Sequence, residues 1–435
     1  MIGRRDAPDP ASLSQPTGRR MTDLSAPSTT ASAPPHAGTL LGLLKALAVW
    51  GPGILVMLAD SDAGNVITAA QAGAQWGYRL LPLLLLLIPA LYLVQDLAVR
   101  LGIHTGLGQG ELIRRYFGRG WAWLSLANLA VAVTGTLITE FTGIAGIGEM
   151  FGVPRAVSLG LATLALLAVS ATRSYRRIER AALIIGLFEL AFFGVAWSAH
   201  PDAGVVLHQV LDQPWHDHGY LYLVAALIGA AFNPWMVFYQ QRAVSEKGLS
   251  AQDYASEKWD TALGAVLTQC LTAAVLVAAA AALGGSGGID SVARISDALV
   301  PILGTAVARP VFAAGVLGAA LVAAIVSSLS LAWTLVELSA RRASAWFHIL
   351  YAGCIVAAAC LVGFSGDLVE LSIAAQVLNA FLLPLVLGFL LILARRALPA
   401  GLRPRGGAFV MTVAALAAIC VVGLVGGLSG LLPLK

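Results

Sequence analysis

Along the chain, long apolar runs alternate with short polar segments that carry nearly all the charge. Runs long enough to cross a hydrocarbon layer about 30 Å thick lie near 43–76, 80–99, 120–150, 155–172, 182–198, 219–244, 259–284, 310–338, 344–364, 369–394 and 407–432, which predicts eleven membrane helices. Two of these runs are interrupted. The first contains Asp60, Asp62, Gly64 and Asn65, residue types that compete with helix by favouring turns or open backbone. The sixth contains Asn233-Pro234, and a proline there removes a backbone donor and clashes with the carbonyl four residues back. Each interrupted run opens a group of five spans. Broken helices in corresponding positions of two halves point to a binding site at the interface of an inverted repeat. The expected organisation is a tail (1–40), a first five-helix unit (41–200), a second (201–400) and an eleventh helix (401–435).

Composition agrees with the hydropathy pattern. Of the 435 residues 58% are hydrophobic and 11% charged, against about 25% charged in an average soluble domain. The chain therefore reads as a polytopic membrane protein with the lipid bilayer as its partner and no nucleic-acid role. Cys270, Cys354, Cys360 and Cys420 all fall in apolar runs and read as small hydrophobes rather than disulfide or zinc ligands. Of the 27 Lys and Arg, 22 fall on the side of the N-terminus, among them Arg100, Arg114, Arg115, the Arg173 to Arg180 cluster, Arg242, Arg395 and Arg396. Arg79, Arg155, Arg294, Arg309 and Lys435 fall on the other. This asymmetry orients the N-terminus to the cytoplasm and the C-terminus outside, in an inner (plasma) membrane. Residues 1–40 are rich in Pro, Ser, Ala and Thr, with no apolar stretch close behind their arginines. They read as a disordered cytoplasmic tail rather than a signal peptide, with Met21 an alternative start. No nucleophile-base pair or phosphate loop suggests an enzyme.

The chemistry concentrates at the two interruptions. A carboxylate at membrane depth costs roughly 2.5 to 3.5 kcal/mol on insertion scales, so Asp62 is a functional-site candidate by default. The proline at 234 frees carbonyls, that of Ala230 among them, where only a partner, water or an ion can satisfy them. Asp62, Asn65, Asn233 and the Ala230 carbonyl then form a set of hard oxygen ligands, which suits Mg²⁺, Ca²⁺ or Mn²⁺. The plain alternatives are a capping turn at Asp62 and a kink at Pro234 with no ion. Asp60 either adds a second negative charge or lines the water path. His216-Asp217-His218 reads as a solvated loop cluster, and Asp96, Glu189 and Glu337 as packed ion pairs or interfacial residues.

A resemblance sharpens this reading. Gly51-Pro52-Gly53, Asp62-Ala63-Gly64-Asn65 and Gln71-Ala72-Gly73-Ala74-Gln75-Trp76-Gly77-Tyr78 resemble the first helix of the NRAMP family of divalent-metal transporters. Leu101-Gly102-Ile103-His104-Thr105-Gly106, Thr139-Glu140-Phe141-Thr142-Gly143, Arg341-Arg342 and Ala375-Gln376-Val377 fall where that family has similar segments. The resemblance implies an all-α LeuT-like fold, with two inverted five-helix repeats plus an eleventh helix. It also implies a metal site on the first and sixth helices, joined by Gln376 of the tenth. Ala63 stands where the family has proline, and Asn233-Pro234-Trp235 where it has Met-Pro-His. Loss of the thioether hardens the site, as in the NRAMP-related branch that carries Mg²⁺. Of the family's third-helix carboxylates only Glu140 matches, and Trp235 cannot relay a proton. The resemblance thus implies a carrier of Mg²⁺, also admitting Mn²⁺, by alternating access and weakly coupled or uncoupled from protons. Glu140 and Arg341-Arg342 would form an ion pair or gate, and Trp235 would shape the cavity. Competing readings are a proton-coupled Mn²⁺/Fe²⁺ importer and an organic-solute symporter on the same fold. No resident cofactor is expected, and the oligomeric state is left open, a monomer included.

Overall fold

The structure is a computed structural model and describes residues 56, 59–171, 187–285, 287–339 and 343–430. The tail, Gly51-Pro52-Gly53, the Arg173 to Arg180 cluster, Arg341-Arg342 and Lys435 lie outside the described residues. Within them the regular structure is helical.

The first interrupted run resumes as α1 (Ala63–Trp76), which begins at Asp62 in extended conformation and ends at Gly77, whose φ of 61° only glycine adopts readily. α2 (Leu81–Thr105) has Pro82 in its first turn and runs past its expected end. The polar link that follows folds as α3 (Gln109–Phe117), burying Leu112 and Ile113. Glu111 in its first turn and Arg114 and Arg115 in its last complement the helix dipole. α4 (Arg119–Met150) and α5 (Arg155–Ala171) match their predicted runs.

The fifth run differs from expectation. A 3₁₀ turn (Leu187–Leu190) leads into α6 (Ala191–Ser198), and the chain then bends by 105° into α7 (Ala203–Leu211). Asp202 starts α7 by accepting the N–H groups of Gly204 and Val205, so a stretch expected to be loop is helical. The second interruption separates α8 (His218–Ala231) from α9 (Pro234–Glu246). α10 (Tyr254–Leu283) follows, then α11 (Val300–Leu338), kinked at Gly304 with φ 71°. Arg309, expected in a loop, therefore sits within a helix. α12 (Ala343–Phe364), α13 (Leu368–Arg396, capped by Asp367) and α14 (Gly406–Ser429) complete the chain.

Among the described residues seven helical segments are long and apolar enough to span a membrane, and the bent pair at 187–211 makes an eighth. α1, α5 and α12 fall short of that standard, which is why the count is below the eleven expected.

α1 packs chiefly on α10 and also touches α4, α8 and α13. α8 packs on α13 and α14, and α4 on α11 and α13. Small residues make these approaches close: a Cβ on Gly73 would fall 2.9 Å from the Ala280 nitrogen in α10. The two breaks, in α1 and between α8 and α9, are thus brought against α4 and α13 in the interior.

Candidate metal site

Asp62 caps α1. Its Oδ1 accepts the Asn65 N–H at 2.7 Å, while its Oδ2 is buried with no hydrogen-bond partner. Glu140 reaches the same helix end from α4, where its Oε2 accepts the Ala63 N–H at 3.3 Å and its Oε1 accepts the Thr139 hydroxyl at 3.1 Å. A helix N-terminus presents unsatisfied N–H groups and a partial positive charge. Two carboxyl groups therefore converge on the start of α1, and Ala63 needs no proline to open the helix there. Glu140 caps this helix end, and its expected partners Arg341 and Arg342 lie outside the described residues.

Asp60 is fully buried beside Asp62, and its carboxyl group faces the Asn233 amide without either oxygen reaching a well-formed hydrogen bond. Its backbone carbonyl accepts from the Asn65 Nδ2 at 3.0 Å, and the Asn65 Oδ1 accepts from the Thr272 hydroxyl at 3.2 Å. Asn65, expected as an open ligand, is in this conformation a strut across the break. The reason is that a buried carbonyl freed from a helix requires a donor.

At the second break, Pro234 has no N–H to give the Ala230 carbonyl four residues earlier. Asn233 lies fully buried, its Oδ1 accepting from the Asn379 Nδ2 at 2.7 Å and the Thr136 hydroxyl at 3.3 Å, its Nδ2 unpartnered. The Gln376 Oε1 accepts from the same Asn379 Nδ2 at 3.0 Å, and its Nε2 is unpartnered. That nitrogen lies against Gly64, where an added Cβ would collide with it and would come within 2.6 Å of the Thr139 Cβ. Trp235 is completely buried with its indole N–H unpartnered.

The structure thus brings Asp60, Asp62, Glu140, Asn233 and Gln376 together from four helices. Thr136, Thr139, Thr272 and Asn379 join them; of these only Thr139 was named in the sequence, and there as part of a motif rather than as a site residue. Asn379 had one signal, its place three residues after Gln376 on the same face of an apolar helix. Of the other candidates, Asp96 pairs with Arg100 at 2.7 Å and accepts from the Tyr254 hydroxyl at 2.7 Å. Glu337 lies 3.7 Å from Arg242 and accepts the Glu111 N–H. Glu189, expected in an ion pair or at an interface, is instead buried with its Oε1 unpartnered. Asp217 caps α8 and the His218 ring meets the Ser429 carbonyl, so this loop is structural. Cys354 is buried, Cys360 is exposed on its helix, and none of the four cysteines is in a disulfide.

Among the described residues no three His, Cys, Asp or Glu side chains converge as a metal cluster. The cluster is made of carboxyl and amide groups, whose oxygens are a donor set for hard cations.

Known proteins resemble the chain at both levels. It is 32% identical over 298 residues to the divalent metal cation transporter MntH of Yersinia pestis (strain Pestoides F), covering 65% of this chain and 71% of that one. It is 27% identical over 375 residues to the protein of the same description from Burkholderia ambifaria, covering 82% and 83%. Its fold matches a manganese transporter of Eremococcus coleocola with TM-score 0.71 at 18% identity, over 90% of this chain and 88% of that one. It also matches MhsT, solved in complex with L-phenylalanine, with TM-score 0.57 at 14% identity, over 87% and 98%. The chain therefore has the all-α LeuT-like fold that its sequence implied. The Nramp family model, described as natural resistance-associated macrophage protein-like, matches residues 53–429, and on that match together with the shared fold the chain belongs to the Nramp family.

Proposed function

We propose that this chain carries divalent metal cations across a membrane by alternating access, with a binding site built from Asp62, Asp60, Asn233, Gln376 and the Ala230 carbonyl. The observation that carries the reading is the pair of fully buried carboxyl groups, Asp60 and Asp62, with three oxygens unpartnered between them. Burying such charge without compensation is expensive. A dication supplies the missing partner, and the remaining donors around it are neutral oxygens. Asn65 joins the shell once its amide leaves Thr272. Because every one of these side chains is buried, the ion enters only if the two broken helices move, which is the gating that alternating access requires. The relatives described as divalent metal cation transporters support the same class.

Within that class the cation favoured is Mg²⁺, with Mn²⁺ also admitted. Asn233 holds the position from which a thioether would select softer metals. The nearest methionine along α9, Met236, shares a small space with Asn233, Pro234, Leu91 and Gln95, and no contact places its sulfur against Asp60 or Asp62 among the described residues. Coupling to protons is weak, since Trp235 does not titrate and Glu140 is committed to the start of α1. A second reading, proton-coupled uptake of Mn²⁺ or Fe²⁺, is favoured by the buried Glu189, a spare carboxyl group able to take a proton. We also assign 41–200 and 201–400 to the two inverted repeats and place the N-terminus in the cytoplasm.

The test is cation uptake into liposomes holding the purified protein. Asp62→Ala is expected to abolish uptake of Mg²⁺ and Mn²⁺, and flux at the wild-type rate would remove Asp62 from the site. Asn233→Met is expected to shift preference toward Mn²⁺ and Cd²⁺; an unchanged preference takes that side chain out of the shell. Acidification of the lumen during uptake would favour the second reading over the first.

A further inference from the structure

We infer that Asn379 is the hub of a three-amide relay that turns Asn233 and Gln376 together, between an arrangement in which both direct amino groups at the site and one in which both present carbonyl oxygens to a bound cation. The inference rests on the metal site described above and gives Asn379, which no ligand role required, a positioning role in it.

The geometry is specific. One nitrogen, the Asn379 Nδ2, lies 2.7 Å from the Asn233 Oδ1 and 3.0 Å from the Gln376 Oε1. A primary amide nitrogen has two hydrogens and its oxygen two lone pairs. Asn379 can therefore offer two donors to its two neighbours or, turned about, two acceptors, and nothing mixed from the same atom. In the first arrangement three atoms are orphaned in the interior: the Asn233 Nδ2, the Gln376 Nε2 and the Asn379 Oδ1. Those two nitrogens are the ends that face the site, one toward the Asp60 carboxyl and the other against Gly64 in the α1 break. Both would oppose a cation, and the Asn233 nitrogen complements the Asp60 carboxyl group.

An amide's oxygen and nitrogen ends fill nearly the same volume, so all three can reverse without moving α8, α9 or α13. The Asn379 oxygen then accepts from Asn233 and Gln376, and their oxygens replace the orphaned nitrogens at the site. Thr136 follows, because its hydroxyl, now donating to Asn233, can accept from it as well. A half-turned relay would set two donors or two acceptors against each other in a buried place, which is costly. The two outer amides are therefore coupled through Asn379, and a dication, by favouring oxygens at both, selects the reversed state of the whole relay.

Calorimetric titration of the purified full chain with Mn²⁺ tests this. Asn379→Leu and Gln376→Leu are each expected to weaken binding about tenfold, which is about 1.4 kcal/mol. The double variant should be no weaker than the weaker single, because the cycle removes one coupled unit. Binding at the wild-type level in Asn379→Leu, or losses that multiply in the double variant, would overturn the relay. Asn379→Asp separates positioning from packing, since a carboxylate only accepts and so holds both amino ends inward. It should bind Mn²⁺ at least as well as wild type, and in a Gln376→Leu background its gain should be smaller, since only Asn233 is then left to hold. Weak binding by Asn379→Asp, or a gain irrespective of Gln376, counts against the relay and for a packing or simple charge effect. These Asp arms keep the test decisive if Asn379→Leu fails to fold. Asp62→Ala in the same titration reports on the site itself. Undiminished binding there defeats the site, whereas loss there with an indifferent Asn379→Leu defeats only the relay.

Discussion

At the scale of single residues, Gly64 shows how little room the site has. Its α-carbon fills the gap between the Gln376 amide of α13 and the Thr139 side chain of α4, the latter 2.6 Å from any added Cβ. A methyl group there pushes two helices apart at the break, and overpacking of this kind costs roughly 1 to 3 kcal/mol. Gly64→Ala is therefore expected to lower the melting temperature and to weaken Mn²⁺ binding more than tenfold, because it displaces Gln376. Wild-type affinity in that variant would show that Gln376 does not sit where the ion binds. Asp62 and Asn65 could be picked out of the sequence because a carboxylate and an amide in an apolar run have few other reasons to be there. Thr272 could not, since a threonine on an apolar helix ordinarily bonds its own backbone, as this one also does to the Thr268 carbonyl at 3.0 Å.

At the scale of elements, the breaks were legible and the bend after α6 was not. Proline, glycine and side-chain caps impose their effect locally, whereas the 105° turn into α7 depends on what α7 is fastened to. The fastening is polar. The Gln209 Oε1 accepts the Tyr78 N–H at 2.9 Å, Gln213 donates to the Arg79 carbonyl at 2.9 Å, and Arg79 pairs with Asp212 at 2.7 Å. The hydrogen bond and charge of Arg79 hold the exposed Asp212 carboxyl below the usual carboxylate range. A depressed pKa contributes stability that is present above the ordinary value and is lost as pH falls through the depressed one. The clasp is therefore complete at neutral pH. Hydrogen exchange in 203–213, corrected for intrinsic rate, should be flat from neutral pH down to about 4, the ordinary carboxylate value, and should rise below it. Arg79→Ala should raise exchange already at neutral pH and remove the acid-dependent rise; an unchanged profile would mean the ion pair does not hold α7.

At the scale of the whole molecule, the fold gathers buried carboxyl groups whose oxygens lack hydrogen-bond partners, the feature on which the proposed cation site rests. A ligand that binds only the folded state stabilises it by about 2.7 kcal/mol at a hundred times its Kd. Saturating Mn²⁺ or Mg²⁺ should therefore raise the melting temperature of the detergent-solubilised wild type by several degrees and leave Asp62→Ala unmoved. An equal rise in both would place the stabilising ion elsewhere. The outer position of α14, whose apolar window is only 22% buried, agrees with its expected place as an addition to a five-plus-five core. Polar fastenings, such as the Gln241 side chain donating to the Leu107 carbonyl at 2.9 Å and the Ser245 hydroxyl donating to the Gly106 carbonyl at 2.7 Å, connect α9 to the turn after α2. Contacts of that kind have to break for α9 to move against α2.

The sequence by itself determined that the chain is a bundle of membrane helices, that two of them break, and that a carboxylate stands at one break and a proline at the other. Hydropathy, proline chemistry and the cost of buried charge act within a few residues of where they are written, so they can be read without a structure. Only the tertiary structure decided how the breaks are used. Asn65 became a strut because Thr272 lies opposite it, Glu140 became a cap because α4 passes the start of α1, and Asn379 gained two amide partners because α13 runs between α4 and α8. These are matters of which helix neighbours which, and in a chain whose spans are nearly uniform in composition that information is carried by packing between distant segments.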